Sequence, residues 1–585
     1  MSEKDKKAQL KALVRNSKKL QKALSDARAE RTHSGVIVKG ADKVDHYLTK
    51  FTTLMPDEYF DSIPFTNDVS TELLNTWNCA IEHLIKMPQH NVTPSIYFLM
   101  CKLIQIKQIQ PMALADFPAP DEVAPQVEKL LELYYSCLAK TALYFILALN
   151  DADEIEEYEK KEKKPNTLVP PRKKKKLSTF QFSSTVKPIN PDYYDDAAHA
   201  FVLISQRVPD IYEGILETVN YLSGAKIGEK GCVVLTEEVK ENFQMFKKWE
   251  SVEKYISGKS PNCEKLCQAI DTMDMKWLVH FQCRGRFAIQ YIKAWIEYIV
   301  KNEKDVKNYP GYSIFYNEIN SIMDLTGEEL VSPIFVCAEA YAAFSCFDPE
   351  IYKTVLTKKV KKTNFYDIDQ MGELLLIEHF MYTYYGNKEM IVKNFDYDMF
   401  ESVHSKIMES DNYALICLLI STIYQIIPVL PGESRKRVVS HFILSHRNFD
   451  RMFCHWNHNV RVFFCELLLY KITVCPSWNR VKSNALLQIE KPLYDKLKTS
   501  EFDMFKTDVK IVETVNNRIS SVKKAKEKGF DREDEKKLSI YISPALKDFE
   551  SEYTDYKNWE NTNAAEPLYK LLEMTRLNRL DKDVI

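Results

Sequence analysis

Four histidines and two cysteines lie in one segment of the chain and carry the side chains that zinc prefers. They are His441, His446, Cys454, His455, His458 and Cys465. No CxxC pair accompanies them, and Cys465 falls in an apolar helical run, where a thiol usually packs in a core. We therefore interpret the group as helix-capping and packing residues. The sequence predicts no metal site and no cofactor.

Two basic clusters could bind an acidic receptor or surface. Separated by ten residues, they consist of Lys160 and Lys161, and of Arg172, Lys173, Lys174, Lys175 and Lys176. The spacing is typical of a bipartite nuclear import signal. The same charges could bind anionic lipid or RNA phosphate, or keep a loop soluble beside the acidic run at 151–159. The residues leave all these interpretations open.

The familiar signatures of enzymes are missing from this chain. No GxGxxG, GxSxG or HExxH pattern occurs. Gly258, Lys259 and Ser260 resemble the end of a phosphate-binding loop, but Glu253 stands where that loop begins with glycine. We therefore predict that the protein is not an enzyme and takes no small-molecule substrate.

The composition excludes several classes of protein. Only 14 of 585 residues are glycine, which disfavours large β-sheet folds and Gly-rich nucleotide-binding folds. The formal net charge of −2 gives no general attraction to nucleic acid. The 13 cysteines are scattered in the manner of buried thiols in a reducing compartment. The expected location is the cytoplasm, with nuclear or membrane-associated locations as alternatives.

The hydrophobic pattern is helical nearly throughout the chain. In the stretch from Arg286 to Lys301, Ile289, Ile292 and Ile296 recur at spacings of three and four. Many such helices follow one another with short breaks. A single bundle core does not grow to this length, so the pattern favours an all-α, degenerate HEAT/armadillo-like α-solenoid.

Changes in composition divide the chain into five parts. The prediction is a basic N-terminal helix (1–40), an N-terminal helical block (41–150), a charged disordered loop (151–195), the main α-solenoid (196–545) and a C-terminal helical tail (546–585). The basic helix could lie on a membrane surface or be a frayed, solvated helix, because its apolar face is thin.

One uncharged segment permits two interpretations. Residues 413–430 read YALICLLISTIYQIIPVL, which is near the lower length limit for a membrane span. Ser421, Gln425 and Pro428 argue against spanning. A helix buried on all sides of a large α-protein has the same composition. We favour the buried helix and keep the membrane segment as the alternative.

Residues 320–475 resemble a known family. The resemblance lies in the runs SPIFVCA (332–338), RMFCHW (451–456) and NVR (459–461), the last followed by LLLYKI (467–472). They are similar to an uncharacterised family of fungal and amoebal proteins, known only as a domain of unknown function. The resemblance implies a helical, armadillo-like fold and supplies no activity and no catalytic residue. Some relatives are labelled as membrane proteins, which leaves the ambiguity at 413–430 open.

Three residues of these runs are expected to have structural roles in a helical repeat. A polar cap before Val460 and Arg461, followed by an apolar helix, is how the second helix of a HEAT-like repeat often begins. We expect Trp456 to be a large buried aromatic residue in the turn between two helices, and Arg461 to bridge to a neighbouring repeat. Loss of a buried Trp456 would then destabilise the protein.

These features together predict a scaffold or adaptor that binds other proteins through a helical-repeat surface. One alternative is a peripheral membrane or trafficking protein. The other is a nuclear protein imported through the basic clusters between residues 160 and 176, which would bind an import receptor. The sequence carries no strong signal for nucleic-acid binding.

Overall fold

The computed structural model describes most of the chain. The described residues are 3–32, 35–54, 66–86, 93–110, 125–150, 189–222, 275–282, 284–323, 334–387, 396–428, 430, 432–473, 499–530 and 536–562. Lys160, Lys161, Arg172, Lys173, Lys174, Lys175 and Lys176 lie outside them, so the import or anionic-contact role of these residues stays a prediction.

The described residues are almost entirely helical, which confirms the all-α class. Low glycine content and a sustained helical period are the physical reasons. One short antiparallel hairpin interrupts the helices, with β1 (Arg28–Thr32) paired to β2 (Gly35–Lys39) and Arg28 opposite Lys39. It lies in the part of the sequence that was assigned to the basic N-terminal helix.

The chain divides into two compact units, Met1–Val336 and Cys337–Ile585. The helices of the first are α1 (Glu3–Asp26), α2 (Ala41–Thr53), α3 (Asn67–Lys86), α4 (Thr93–Gln105), α5 (Pro125–Asn150), α6 (Tyr194–Ser205), α7 (Pro209–Leu222), α8 (Val279–Gln282), α9 (Arg286–Asn302) and α10 (Tyr312–Ile322). Short 3-10 helices occupy Lys107–Ile109, Pro191–Tyr193 and Met275–Leu278.

Helix α11 (Ile334–Phe347) contains the boundary between the units. The second unit continues with α12 (Pro349–Lys362), α13 (Ile368–Asn387), α14 (Tyr397–Ser410), α15 (Tyr413–Ile426), α16 (Gly432–Arg437), α17 (His446–Phe453), α18 (His458–Leu467), α19 (Thr499–Lys528) and α20 (Ile542–Thr562). Two π-helical segments, Val438–Ile443 and Leu468–Ile472, extend α16 and α18, and a 3-10 helix, Lys536–Tyr541, precedes α20.

Helix α1 is an integral part of the first unit. Its apolar residues Leu13, Leu20 and Leu24 are buried, and the helix packs on α2 and α3. The buried hydroxyls of Ser17 and Thr76 are hydrogen-bonded between α1 and α3. Both earlier interpretations, a frayed solvated helix and a membrane-surface helix, are therefore wrong for this structure. A thin apolar stripe is sufficient when a neighbouring helix covers it.

The helices of the first unit pack on helices that are adjacent in the chain and on others that are more distant. Helix α3 contacts α1, α4 and α5, whereas α6 contacts α4, α5, α7 and α9. Buried polar groups find partners inside this packing: Trp77 Nε1–H donates to Thr141 Oγ1 at 3.1 Å, and the hydroxyls of Tyr97 and Tyr144 lie 2.7 Å apart. Buried hydrogen bonds of this kind fix the relative positions of the helices that carry the two partners.

One tight turn in the first unit depends on a glycine. Gly311 begins α10 with φ +93°, and a Cβ there would lie 2.6 Å from the Tyr212 hydroxyl. That hydroxyl donates to the Pro310 carbonyl at 2.6 Å and accepts from Trp295 Nε1–H at 3.0 Å. We expect Gly311→Ala to lower the free energy of unfolding of this unit by roughly 2–3 kcal/mol, through backbone strain and displacement of the hydroxyl.

Urea unfolding combined with hydrogen exchange of α10 peptides would measure this change, and Gly372→Ala is the control. Gly372 lies inside α13, and a Cβ there would meet only Leu415 Cδ2 at 3.8 Å. Alanine is the better helix former at such a site, so the control should be neutral or stabilising. Equal stability of the Gly311 variant and the unchanged protein would contradict the strain argument.

Two rows of helices make up the second unit. Helices α13, α15, α18 and α20 contact one another in that order. The second row consists of α14, the Val438–Ile443 segment, α17 and α19, each of which contacts the next. Its helices also pack on the first row: α14 on α15, α17 on α18, and α19 on α20.

Helix α15 covers most of the uncharged segment 413–430, which the sequence left open as a buried helix or a membrane span. It has 14 residues, about 21 Å at the helical rise, which is short of the ~30 Å hydrocarbon core of a bilayer. Leu419, Ile420 and Ile423 are fully buried, which agrees with the buried-helix interpretation. Among the described helices, only residues Pro125–Leu149 of α5 are long and apolar enough to cross a membrane, and 67% of the apolar 18-residue window within them is buried, as in many core helices.

Two of the predicted domain boundaries fall within ordered elements. Residues 189–195 were assigned to the charged loop, yet Ile189 is buried, and a 3-10 helix and the start of α6 follow it. The boundary at 545/546 runs through α20, which packs on α18 and α19. The remaining boundaries stay predictions.

Candidate functional site

Five large apolar side chains are exposed around one part of the second unit. They are Tyr366, Ile368, Tyr413, Trp456 and Ile540. Only one other large apolar side chain, Tyr553, is exposed in the described part of this unit. Single exposed apolar residues are ordinary, but a concentration of them indicates a binding surface.

These side chains border two adjoining pockets that share Trp456 and Asp411. The first pocket has a volume of about 340 Å³, and its walls include Arg447, Arg451, His455, Lys537, Ile540 and Tyr541. The second has a volume of about 510 Å³, and its walls include Phe365, Tyr366, Ile368, Met371, Asn412 and Tyr413. We call the two pockets and these residues the Trp456 surface.

Trp456 lies in the short connection between α17 and α18, and it is 47% exposed. Its ring meets Tyr413 edge to face, with the centroids 6.0 Å apart. The expectation that Trp456 is a buried aromatic residue between two helices is therefore wrong. Asn457, the next residue, caps α18 by accepting the Asn459 N–H at 2.9 Å, so Trp456 lies just outside the helix.

Arg461 is hydrogen-bonded to the connection between α17 and α18. Its Nη1–H groups donate to the carbonyl oxygens of His455 and Trp456, at 2.7 and 3.0 Å, and its Nε–H donates to Asp548 Oδ2 at 2.7 Å. Arg461 is buried, as is Val460 beside it. The arginine thus connects the loop that carries Trp456 to α20, the neighbouring helix.

His455 and Asp411 lie between the two pockets. Asp411 ends α14 in the left-handed conformation, with φ 55°. The buried His455 places Nε2 3.4 Å from Asp411 Oδ1, and its Nδ1 accepts the Asn457 N–H at 3.0 Å. Burial lowers the pKa of His455, and the neighbouring Arg461 acts in the same direction, while Asp411 opposes them without reversing the shift.

The lowered pKa of His455 predicts how the stability of the protein depends on pH. The unfolded chain takes up a proton at His455 near pH 6.5, whereas the folded chain does so only at lower pH. Between these two values the unfolded state binds more protons, so stability falls as the pH decreases below about 6.5. His455→Asn, whose side-chain oxygen can still accept the Asn457 N–H, should flatten this part of the pH profile in urea-unfolding measurements. An unchanged slope would contradict the assignment.

The first pocket has a positive rim. Arg447 pairs with Glu409 at 3.3 Å. Arg451 and Lys537 form no ion pair or hydrogen bond with any other residue that the structure describes. Asp411 is the one carboxylate among the residues that line this pocket, and it faces three cationic side chains. His455 beside it favours its neutral form, because its pKa is lowered.

The structure does not bring the histidines and cysteines of the 441–465 segment together around a metal position. Cys454 and Cys465 are buried, and burial raises the pKa of Cys454 to about 12. His441 and His446 are exposed, and His458 Nδ1 lies 3.1 Å from Asp548 Oδ2. No group of three or more His, Cys, Asp or Glu side chains in the described part of the chain is placed to hold a metal ion.

Sequence reasoning missed most of the Trp456 surface. Asp411 and Asn412 carried a recognisable signal, since an Asp-Asn pair before an apolar run is typical of a helix cap, and Asn412 does cap α15. Lys537, Ile540 and Asp548 carried none, because they lie 81 to 92 residues beyond Trp456 in the sequence and only tertiary packing brings them to Trp456 and Arg461.

A family model for a protein of unknown function (DUF1765) matches residues 352–472. This confirms the resemblance to an uncharacterised family and places it within the expected 320–475. The match extends from α12 to the end of the Leu468–Ile472 segment. It includes every residue of the Trp456 surface except those of the 3-10 helix before α20. No curated protein and no solved structure matches the chain significantly.

Proposed function

We propose that this protein is a non-enzymatic scaffold or adaptor that presents helical surfaces to protein partners. The Trp456 surface is the observation that carries the proposal. Exposed aromatic side chains next to arginines are the composition that dominates binding energy at protein interfaces. Trp456 borders both pockets and is the natural centre of such an interface.

A degenerate HEAT/armadillo-like solenoid is the architecture we propose for this scaffold. The succession of α13, α15, α18 and α20, each contacting the next beside a second row of helices, supports it. In repeat proteins of this kind, each helix pair buries its apolar face on the following pair. The absence of a fixed repeat length is compatible with a degenerate array.

The chemistry of the pockets supports binding rather than catalysis. His455 and Asp411 are close together, but the Nδ1 lone pair of the imidazole accepts the Asn457 N–H, so in the neutral ring the proton is on Nε2. A general base needs a free lone pair within reach of a substrate proton. Burial raises the pKa of the nearby Cys454 thiol, which makes it a poor nucleophile.

The cytoplasm is the location we propose for the scaffold, and peripheral membrane attachment is the second candidate. This alternative rests on the basic N-terminus or the basic run at 172–176, either of which could contact an anionic membrane surface. Pelleting with membranes that carbonate releases would support peripheral attachment, pelleting that resists carbonate would indicate an integral protein, and recovery in the soluble fraction would support the scaffold. A nuclear role through the basic clusters between 160 and 176 is tested by localisation after 172–176 is neutralised.

The test of the scaffold is affinity purification of the tagged protein from its own cells, comparing the unchanged chain with Trp456→Ala. We expect a stoichiometric protein partner that the variant no longer retains. Phe98→Ala is the matched control, because Phe98 is an equally exposed aromatic residue of the first unit. Recovery of a clean monomer, or a partner that Trp456→Ala retains, would contradict the proposed role of this surface.

A further inference from the structure

We propose that the Trp456 surface binds a linear peptide segment rich in acidic residues. The peptide places an aromatic or aliphatic side chain beside Trp456, and the carboxylates of the peptide bind Arg451 and Lys537. The inference rests on the proposed scaffold function and specifies the partner chemistry of the same surface.

The charges of the first pocket indicate an acidic partner. Arg451 is half-buried on α17, and Lys537 is exposed on the 3-10 helix before α20. Neither is neutralised by a described residue. A guanidinium held in a pocket wall without a carboxylate partner is well placed to accept one from a ligand, and charge-assisted hydrogen bonds of this kind are among the strong ones. The two cations come from different elements, so a ligand must extend across the pocket to meet both.

The second pocket indicates an apolar anchor. Its walls include the exposed apolar side chains of Tyr366, Ile368, Tyr413 and Trp456, beside the polar residues Ser410, Asp411 and Asn412. Tyr366 is 97% exposed and Trp456 nearly half exposed, so a ligand side chain would remove a large apolar area from water, which is the main favourable term in association. Because the two pockets meet at Trp456, a single extended chain can occupy both.

A peptide fits this surface better than an anionic membrane. The first pocket has three cationic side chains, whereas an anionic membrane surface is typically bound by clusters of about 4–8 basic residues. The half-exposed carboxylate of Asp411 lies between the two pockets and would repel lipid headgroups. A peptide instead has backbone N–H groups that can donate to Asp411 while its acidic side chains lie on the rim.

The experiment is a selection from a random peptide library displayed on phage, with the purified full chain as bait and the Trp456→Ala chain for counter-selection. We expect enriched peptides that combine Asp or Glu with an aromatic or large aliphatic residue. The most enriched peptide, labelled and used in fluorescence anisotropy, then tests the residues. Trp456→Ala should weaken its binding by at least about tenfold, as expected for a hot-spot residue.

Charge reversal tests the rim. The double variant Arg451→Glu, Lys537→Glu should weaken binding by about tenfold or more, because it replaces attraction by repulsion. The matched control is Lys523→Glu, Lys524→Glu, which makes the same charge change at exposed positions of α19 outside the pockets. The control should bind with unchanged affinity, and circular dichroism of each variant checks that it is folded.

Three results would overturn the inference. They are the absence of any enriched peptide, enrichment of neutral or basic peptides, and binding to phosphatidylserine vesicles that depends on Arg451 and Lys537. If the cells yield a Trp456-dependent partner but the library yields no acidic peptides, only this inference fails. If Trp456→Ala also changes nothing in the affinity purification, the scaffold function of the surface fails with it.

Discussion

Replacing Arg461 with alanine is expected to lower the free energy of unfolding of the second unit by about 3–5 kcal/mol, because it removes the charged partner of Asp548 and leaves that carboxylate, within the described part of the chain, only its contact with His458 Nδ1. Asp548 is mostly buried, and its Oδ2 accepts the Arg461 Nε–H at 2.7 Å. The variant also removes the donors to the carbonyl oxygens of His455 and Trp456. The substitution therefore weakens both the attachment of α20 and the loop that carries Trp456.

Hydrogen exchange of peptides from α18 and α20, together with urea unfolding, measures this loss. Arg447→Ala is the control, since its pair with Glu409 is solvent-exposed and should contribute at most about 1 kcal/mol. The Asp548→Ala variant and the double variant complete a cycle, in which the two losses should be far from additive. Additive losses, or a small loss in Arg461→Ala, would show that the pair does not hold α20.

Replacing Glu378 with alanine is expected to have a comparable effect of about 3–5 kcal/mol on the same unit. His404 and Glu378 are both buried, with Nε2 and Oε2 2.8 Å apart, and they join α14 to α13. His404 Nδ1–H donates to the Phe400 carbonyl at 2.7 Å. Loss of the carboxylate leaves an imidazole nitrogen buried without a partner in an aromatic surrounding, where desolvation is costly.

Three further variants separate this explanation from a general effect of mutating α13. Glu378→Gln retains an acceptor and should lose only about 1–2 kcal/mol. Glu373→Ala, on the same helix, removes a partly exposed contact with Lys359 at 3.4 Å and should lose at most about 1 kcal/mol. Glu378→Leu combined with His404→Phe should recover stability relative to Glu378→Ala, since buried polar pairs can often be replaced by apolar residues. Equal losses in all variants would contradict the pairing argument.

The helical class and the helix ends were predictable from the sequence because they depend on local interactions. The apolar period of α9 predicts its buried face, and Ile289, Ile292 and Ile296 are indeed buried. Asn412 and Asn457 precede apolar runs, and both cap the helices that follow them. Each of these features involves residues within one or two helical turns of each other. The same locality explains why α15 could be described as a helix but not assigned to a protein core or a bilayer.

Only the tertiary structure decided which faces were covered. The thin apolar stripe of α1 is buried because α3 lies on it, whereas Trp456, which the sequence predicted to be buried, is exposed in the connection before α18. The Trp456 surface joins residues from α13 to the 3-10 helix before α20, and Arg461 finds Asp548 87 residues away. Burial and charge pairing depend on neighbours that are distant in sequence, and one chain's local pattern does not specify them.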